Sequence, residues 1–326
     1  MTVARAALAG IVMLALFIVP LAADGQQVRV YRVGVLLQGG AYSPAVDRLR
    51  DGLRELGLEE GKQLVLDVRD AKGDLKAVEA AARSLEAEKV DLIYSVTTSV
   101  TLTAKRATKS VPIVFFASTD PVALGFIETF RKPGGRLTGI HSQFTDLTAK
   151  RLELLKEMLP SLRRVVTFYS PDNPAAQQSI KIARDAASRL KVGLIERRVT
   201  SVDELRAGLR ALRPGEADAF FYVSDAMVSS QVELIIETAR AKRLPTMLQD
   251  PGSVAKGALA SYGVSSYTVG RLSAKQVQRI LLGADPRDLP VEQLDRLYFV
   301  INLKTAKFLD LTIPQSVLAR ADEVIQ

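Results

Sequence analysis

The chain of 326 residues contains no cysteine, no tryptophan and only one histidine, His141. Without cysteine, disulfide bonds, thiolate chemistry and a lipid anchor on an N-terminal cysteine are excluded. A lone histidine gives no Cys/His/carboxylate cluster for a metal, and nothing around it supports a Ser-His-Asp triad. The sequence also lacks a Gly-x-Ser-x-Gly elbow, a phosphate-binding glycine-rich loop and a dinucleotide fingerprint. We therefore predict a protein that is not an enzyme and that has no cofactor or metal.

The chain is basic, with a formal net charge of +8. A basic chain can bind nucleic acid when its cations form a patch with interleaved aromatic residues. Here lysine and arginine are scattered along predicted helices, and Arg163-Arg164 and Arg197-Arg198 are only pairs. The charge pattern therefore indicates solvated helix faces, and nucleic acid is not an expected partner.

The N-terminal segment has the pattern of a cleaved signal peptide. Arg5 gives a positive start, Ala6 to Ala23 is apolar, and Ala23-Asp24-Gly25 places small residues at a cleavage site. A retained membrane anchor is the alternative, but Gly10 and Pro20 interrupt the apolar stretch and no basic stop signal follows. We predict that residues 1–25 are removed and that the mature protein is free in the periplasm.

A stretch near residue 100 predicts a ligand rim on a parallel sheet. Asp91 to Val96 and Pro112 to Ala117 are short apolar runs, and a helical segment to Lys109 joins them. Two such runs around a helix are typical of parallel strands buried on both faces. Hydroxyl residues follow both runs, at Thr97 to Ser99 and at Ser118 and Thr119. Ligands of open parallel sheets bind outside the carboxyl ends of the strands, so we expect a ligand there.

The same alternation of strand and helix occurs in both halves of the chain. A mature chain of about 300 residues exceeds what one core usually holds, so two domains are expected. The fold class is α/β, with two doubly wound parallel-sheet lobes that form a clamp around one cleft. A further short helix is predicted at Leu124 to Phe130.

Four segments carry a family resemblance. They are Asp120 to Phe126 (DPVALGF), Lys132 to Ile140 (KPGGRLTGI), Gly283 to Asp295 (GADPRDLPVEQLD) and Leu297 to Ile325. With them the chain closely resembles the substrate-binding proteins of a bacterial ABC transporter family, often labelled as tryptophan/tyrosine transport-system binding proteins. The resemblance covers essentially all of the mature chain.

This resemblance implies the type I periplasmic binding protein fold, with one ligand in the cleft. It places three hinge crossings near Gly139, Val264 and Phe299. The N-terminal lobe would comprise residues 28–140 plus 266–298, and the C-terminal lobe residues 141–265 plus 299–326. It also implies a monomer that delivers a small molecule to an ABC transporter permease in the inner membrane.

Twelve residues are predicted to bind the ligand, all at or near predicted strand ends. They are Gly40, Tyr42, Thr97, Thr98, Ser99, Ala117, Ser118, Thr119 and Asp120 in the first half, and Asn173, Asp225 and Gln249 in the second. For an amino acid, the hydroxyl groups of Thr97 to Ser99 suit the carboxylate and Asp120 or Asp225 suits the ammonium. Tyr42 could stack on a ring of the ligand.

Each candidate also has a purely structural interpretation. Thr97, Thr98 or Asp225 could simply cap a helix, and Asp120 could stabilise a turn before Pro121. Asn173 and Gln249 could belong to loop structure, Tyr42 could cover the cleft rim, and His141 could be a hinge packing residue rather than a pH sensor.

Two other functions stay open from the sequence. A sensor subunit for a membrane receptor would share every motif. A periplasmic enzyme on the same fold would need Ser, His and Asp converging in the cleft. A transcriptional repressor core has this fold too, but the export signal and the missing helix-turn-helix segment disfavour it.

Overall fold

The computed structural model describes residues 29–142 and 144–326, which form two β-sheets flanked by helices. The predicted signal peptide lies outside the described residues. Within these ranges, no helix combines the length and the apolar character needed to cross a membrane.

The first sheet has six strands in the order β11-β5-β4-β3-β1-β2, and every neighbouring pair is parallel. Its strands are β1 (Tyr31–Leu37), β2 (Leu64–Asp70), β3 (Leu92–Val96), β4 (Ile113–Ala117), β5 (Leu137–Ser142) and β11 (Glu292–Leu294). Its helices are α1 (Ser43–Glu55), α2 (Leu75–Ala87), α3 (Thr98–Ala107) and α10 (Ser266–Leu281). This sheet and these helices are called the first lobe below.

The second sheet has seven strands in the order β13-β12-β10-β9-β8-β6-β7, parallel except where β10 meets β12. Its strands are β6 (Arg164–Tyr169), β7 (Gly193–Arg198), β8 (Ala219–Phe221), β9 (Thr246–Leu248), β10 (Ala260–Gly263), β12 (Tyr298–Asn302) and β13 (Glu323–Ile325). Its helices are α4 (Thr148–Met158), α5 (Pro174–Leu190), α6 (Val202–Ala211), α7 (Ala226–Ser230), α8 (Val232–Ala241), α9 (Gly252–Ala255), α11 (Leu303–Phe308) and α12 (Gln315–Leu318). Together these elements form the second lobe.

Both faces of each sheet are covered, which explains the continuous apolar runs in the sequence. All residues of β3 and β4 are buried. In the first lobe one core contains residues of α1 and α10, and another contains residues of α2 and α3. A strand buried on both faces has no polar side, so its sequence loses the alternation of a half-exposed strand. The two doubly wound lobes predicted from this pattern are confirmed.

The short helix predicted at Leu124 to Phe130 is wrong, because the chain there forms turns. Asp120 Oδ1 accepts a hydrogen bond from the Val122 N–H at 2.8 Å, and the Phe126 N–H bonds to the carbonyl of Pro121 at 2.8 Å. Gly125 adopts a positive φ of 64°. This left-handed conformation interrupts a helix, and glycine adopts it at little cost.

The chain passes between the two sheets three times, after Ser142, after Gly263 and after Leu294. The carboxyl ends of the parallel strands carry the loops that contact the opposite lobe. Those loops therefore form the two walls of a cleft between the lobes.

Candidate ligand-binding cleft

A cavity of about 650 Å³ lies between the loops of the two lobes. Its lining includes Gln38, Gly73 and Ser99 from the first lobe, and Ser170, Asn173 and Asp225 from the second. These residues follow strands β1, β2, β3, β6 and β8. The cavity, called the cleft cavity below, therefore lies at the carboxyl ends of the strands, where ligands of open parallel sheets bind.

The two lobes touch each other directly beside this cavity. Gln249 Nε2 donates a hydrogen bond to the hydroxyl of Tyr42 at 2.8 Å. A Cβ atom added to Gly40 would lie only 2.1 Å from the carbonyl oxygen of Ser229 on the second lobe. Burial raises the pKa of Tyr42 to about 12, so its hydroxyl is neutral at physiological pH. The structure therefore has the lobes in a closed arrangement.

The hydroxyl cluster predicted at the ends of β3 and β4 is present. Thr98 Oγ1 lies 3.3 Å from Ser118 Oγ and accepts the Ser118 N–H at 3.1 Å. Ser99 Oγ donates to Gln38 Oε1 at 3.2 Å. Thr97 has a φ of 96° and caps α3 with no side-chain hydrogen bond. Capping of α3 by the Thr97 hydroxyl, one of the structural interpretations, is thus not observed.

Asp225 is buried beside the cleft cavity. Its Oδ2 accepts the Ser170 N–H at 2.8 Å, and its Oδ1 accepts the Val228 N–H at 3.1 Å, which caps α7. Burial is the largest influence on this carboxyl group and raises its pKa. The capping role is therefore real, and hydrogen bonds from the Met227 N–H and the Asn173 side chain also act on this carboxyl group.

Three other predicted residues have mainly structural contacts. Asp120 is exposed and holds its turn through the Val122 N–H. Asn173 Oδ1 caps α5 by accepting the Ala175 N–H at 3.0 Å. The carbonyl of Ala117 lies 3.2 Å from His141 Nδ1.

His141 is a packing residue next to the first passage between the lobes. Its ring lies 5.5 Å from the ring of Phe130, centroid to centroid, and its side chain is buried. Burial is the main influence on its pKa, which is lowered, so the ring is neutral at physiological pH.

Three residues beside the cleft were not predicted from the sequence. Gln38 forms hydrogen bonds with the Ser99 hydroxyl and with the carbonyl of Gly73. It follows β1 directly, so its position at the end of a strand could have marked it as a candidate. Phe116 and Phe144 form an aromatic cluster with Tyr42. The ring centroid of Phe116 lies 6.4 Å from that of Tyr42 and 6.1 Å from that of Phe144. A sequence shows such a cluster only as separate apolar residues.

Two lobes with mainly parallel sheets, three connections and a cavity at the strand ends define a type I periplasmic binding protein fold. A match to a known family identifies the protein more narrowly than the fold does. The chain belongs to the ABC transporter substrate binding protein family, which it matches over residues 31–325.

Three relatives illustrate the similarity. A tyrosine-binding protein of Clostridioides difficile is 27% identical over 272 residues, which are 82% of this chain and 78% of that protein. An ABC domain in complex with L-Trp from Streptococcus pneumonia has a TM-score of 0.79 at 25% identity, and covers 91% of this chain and 100% of its own. A ligand-free, open substrate binding protein with adhesive properties from Clostridium difficile has a TM-score of 0.57 at 26% identity, covering 91% and 99%.

Proposed function

We propose that this protein is the periplasmic binding subunit of an ABC importer, and that it captures an amino acid or a related carboxylate between its lobes. The observation that carries this proposal is the cleft cavity of about 650 Å³, which strand ends of both lobes line. The family membership and the ligands of the two relatives, tyrosine and L-Trp, support it. Aromatic amino acids are therefore the first compounds to test.

The closed arrangement supports a clamp. The two solved relatives have nearly the same sequence identity to this chain, yet the complex with L-Trp superposes far better than the ligand-free, open protein. Sequence distance does not account for this difference in TM-score. A clamp that differs in opening between ligand-free and ligand-bound forms does account for it.

The residues around the cleft suit an amphipathic ligand. The Thr98 hydroxyl and the N–H groups at the start of α3, which no side chain of the N-cap residue satisfies, offer hydrogen-bond donors to a carboxylate. The buried carboxylate of Asp225 suits an ammonium group. Tyr42 and Phe116 offer aromatic surface to a ring.

We expect that a thermal-shift screen of the twenty amino acids gives one or more compounds that raise the melting temperature. With such a compound, Asp225→Asn or Thr98→Val should weaken binding by about 1 to 3 kcal/mol, because each removes one hydrogen-bonding partner of the ligand. Isothermal calorimetry measures the change.

Asp120→Asn is the matched control for Asp225, since Asp120 is exposed and bonded within its own turn. Thr103→Val, five residues further along α3, is the control for Thr98. If affinity is the same in both test variants as in the controls, these two anchors are assigned incorrectly. If no amino acid raises the melting temperature, the proposed ligand class is incorrect.

Export is tested separately. Arg5, the apolar segment and Ala23-Asp24-Gly25 predict a mature protein that begins near Gln26. N-terminal sequencing of the protein from a periplasmic fraction measures this directly. A membrane-bound protein that retains Met1 would contradict it.

A further inference from the structure

Arg151 is a buried cation in the first turns of α4, just after the chain enters the second lobe. Its side chain is among the largest that are fully buried. Nη2 donates to the carbonyl of Phe144 at 2.9 Å and to Thr148 Oγ1 at 3.0 Å. Among the described residues, Nε and Nη1 have no hydrogen-bond partner. Two of the three guanidinium nitrogens are therefore left without the contacts that a buried charge requires.

No carboxylate of residues 29–142 and 144–326 forms a salt bridge with Arg151. Burial raises the pKa of Tyr42 and of Tyr222, both near Arg151, so neither hydroxyl supplies a negative charge at physiological pH. Burial lowers the pKa of Arg151 to about 10, so the side chain is still a cation there. Its place near the start of α4 adds no compensation, since that end of a helix is itself positive.

A chain of hydrogen bonds connects Arg151 to the hydroxyl cluster of the cleft. Thr98 Oγ1 lies 3.3 Å from Ser118 Oγ, and Thr145 Oγ1 donates to the carbonyl of Ser118 at 2.8 Å. Thr148 Oγ1 donates to the carbonyl of Thr145 at 2.6 Å, and Arg151 bonds to Thr148. All five residues are buried. The chain runs from the first lobe through the connecting segment into the second.

The aromatic residues independently place Arg151 near the contact between the lobes. Phe144, whose carbonyl accepts from Arg151, packs its ring against Phe116, and Phe116 packs against Tyr42. Tyr42 in turn bonds to Gln249 across the cleft. Arg151 therefore lies beside the residues through which the lobes meet, and not in a remote part of the core.

We propose that Arg151 binds an acidic group of the ligand, so that the clamp selects ligands that carry a carboxylate. This inference rests on the proposed binding of a ligand between the lobes. A guanidinium group with donors to spare matches a carboxylate better than any other side chain does. The ligand then supplies the negative charge that the protein itself does not place there. Arg151 is in that case a determinant of specificity.

The test uses matched acids and amides, L-tyrosine with L-tyrosinamide and L-glutamate with L-glutamine, on the wild type and on Arg151→Gln and Arg151→Lys. In the wild type, the acid of at least one pair should bind about 10- to 100-fold more tightly than its amide, as expected for a charged hydrogen bond. Arg151→Gln can still donate to Phe144 but carries no charge, so it should lose this preference. Arg151→Lys should keep part of it.

Equal affinity of the wild type for acid and amide would overturn the proposal, and so would an unchanged preference in Arg151→Gln. If none of the four compounds binds, those amino acids fail as ligands, and ligand-free Arg151→Met decides the role of Arg151. A residue held for ligand binding is not optimised for stability, so that variant should melt at or above the temperature of the wild type. A lower melting temperature, or a failure to fold as seen by circular dichroism, would make Arg151 a structural residue and overturn the proposal.

Discussion

Gly40→Ala is expected to weaken ligand binding by about 10- to 100-fold, because the added methyl group holds the lobes apart. A Cβ atom at this position would lie 2.1 Å from the Ser229 carbonyl oxygen and 2.6 Å from the Ser230 Cα atom. Both are backbone atoms of the second lobe, which cannot rotate away as a side chain can. The residues of the two lobes could then no longer contact one ligand together. Calorimetry with an amino acid found in the thermal-shift screen measures the loss.

Gly61→Ala is the control for Gly40→Ala. Both glycines have a positive φ, 65° at Gly40 and 83° at Gly61, so both substitutions carry the same kind of backbone strain. Nothing lies within 4 Å of a Cβ atom at Gly61. Small-angle scattering with saturating ligand should give a larger radius of gyration for Gly40→Ala only. Equal affinities and equal radii in the two variants would show that contact at Gly40 does not limit closure.

Ligand binding is expected to close the wild-type clamp and to stabilise it. A ligand at a hundred times its dissociation constant adds about 2.7 kcal/mol to the free energy of unfolding, provided that it binds only the folded protein. Contacts from both lobes exist together only in the closed form, so the ligand favours that form by its differential affinity. The radius of gyration should therefore fall on binding, and small-angle scattering measures it.

Scattering is the preferred probe because the chain has no tryptophan, and its tyrosines, such as Tyr42 and Tyr262, give weak fluorescence signals. A ligand that raises the melting temperature without changing the scattering curve would contradict the hinge mechanism. The protein would then be a rigid binding module that is closed in both states.

The fold was predictable from the sequence because buried parallel strands lose their polar side. The apolar runs that became β3 and β4 showed this most clearly, and the family resemblance predicted from the quoted segments is confirmed by the family match. The helix predicted at Leu124 to Phe130 is the exception. A turn with Gly125 in the left-handed region takes its place.

The candidate site was less predictable, because exposure is decided by distant parts of the chain. Asp120 and Asp225 both follow a strand and precede a possible helix, yet the first is exposed and the second is buried. Arg151 lies on α4, and the scattered lysine and arginine residues of the helices were predicted to lie on solvated faces. It is buried because the elements around it enclose that turn of the helix. The ligand-binding roles themselves stay predictions.

Both lobes are built from separated segments, and this has a consequence for the timing of folding. The first lobe needs α10 and β11, which come from the last quarter of the chain. The bond from Gln278 Nε2 to the carbonyl of Leu56, for example, joins residues 222 positions apart. Contacts over such separations form slowly, because long loops must close first. Most of the chain must therefore leave the ribosome before either core is complete.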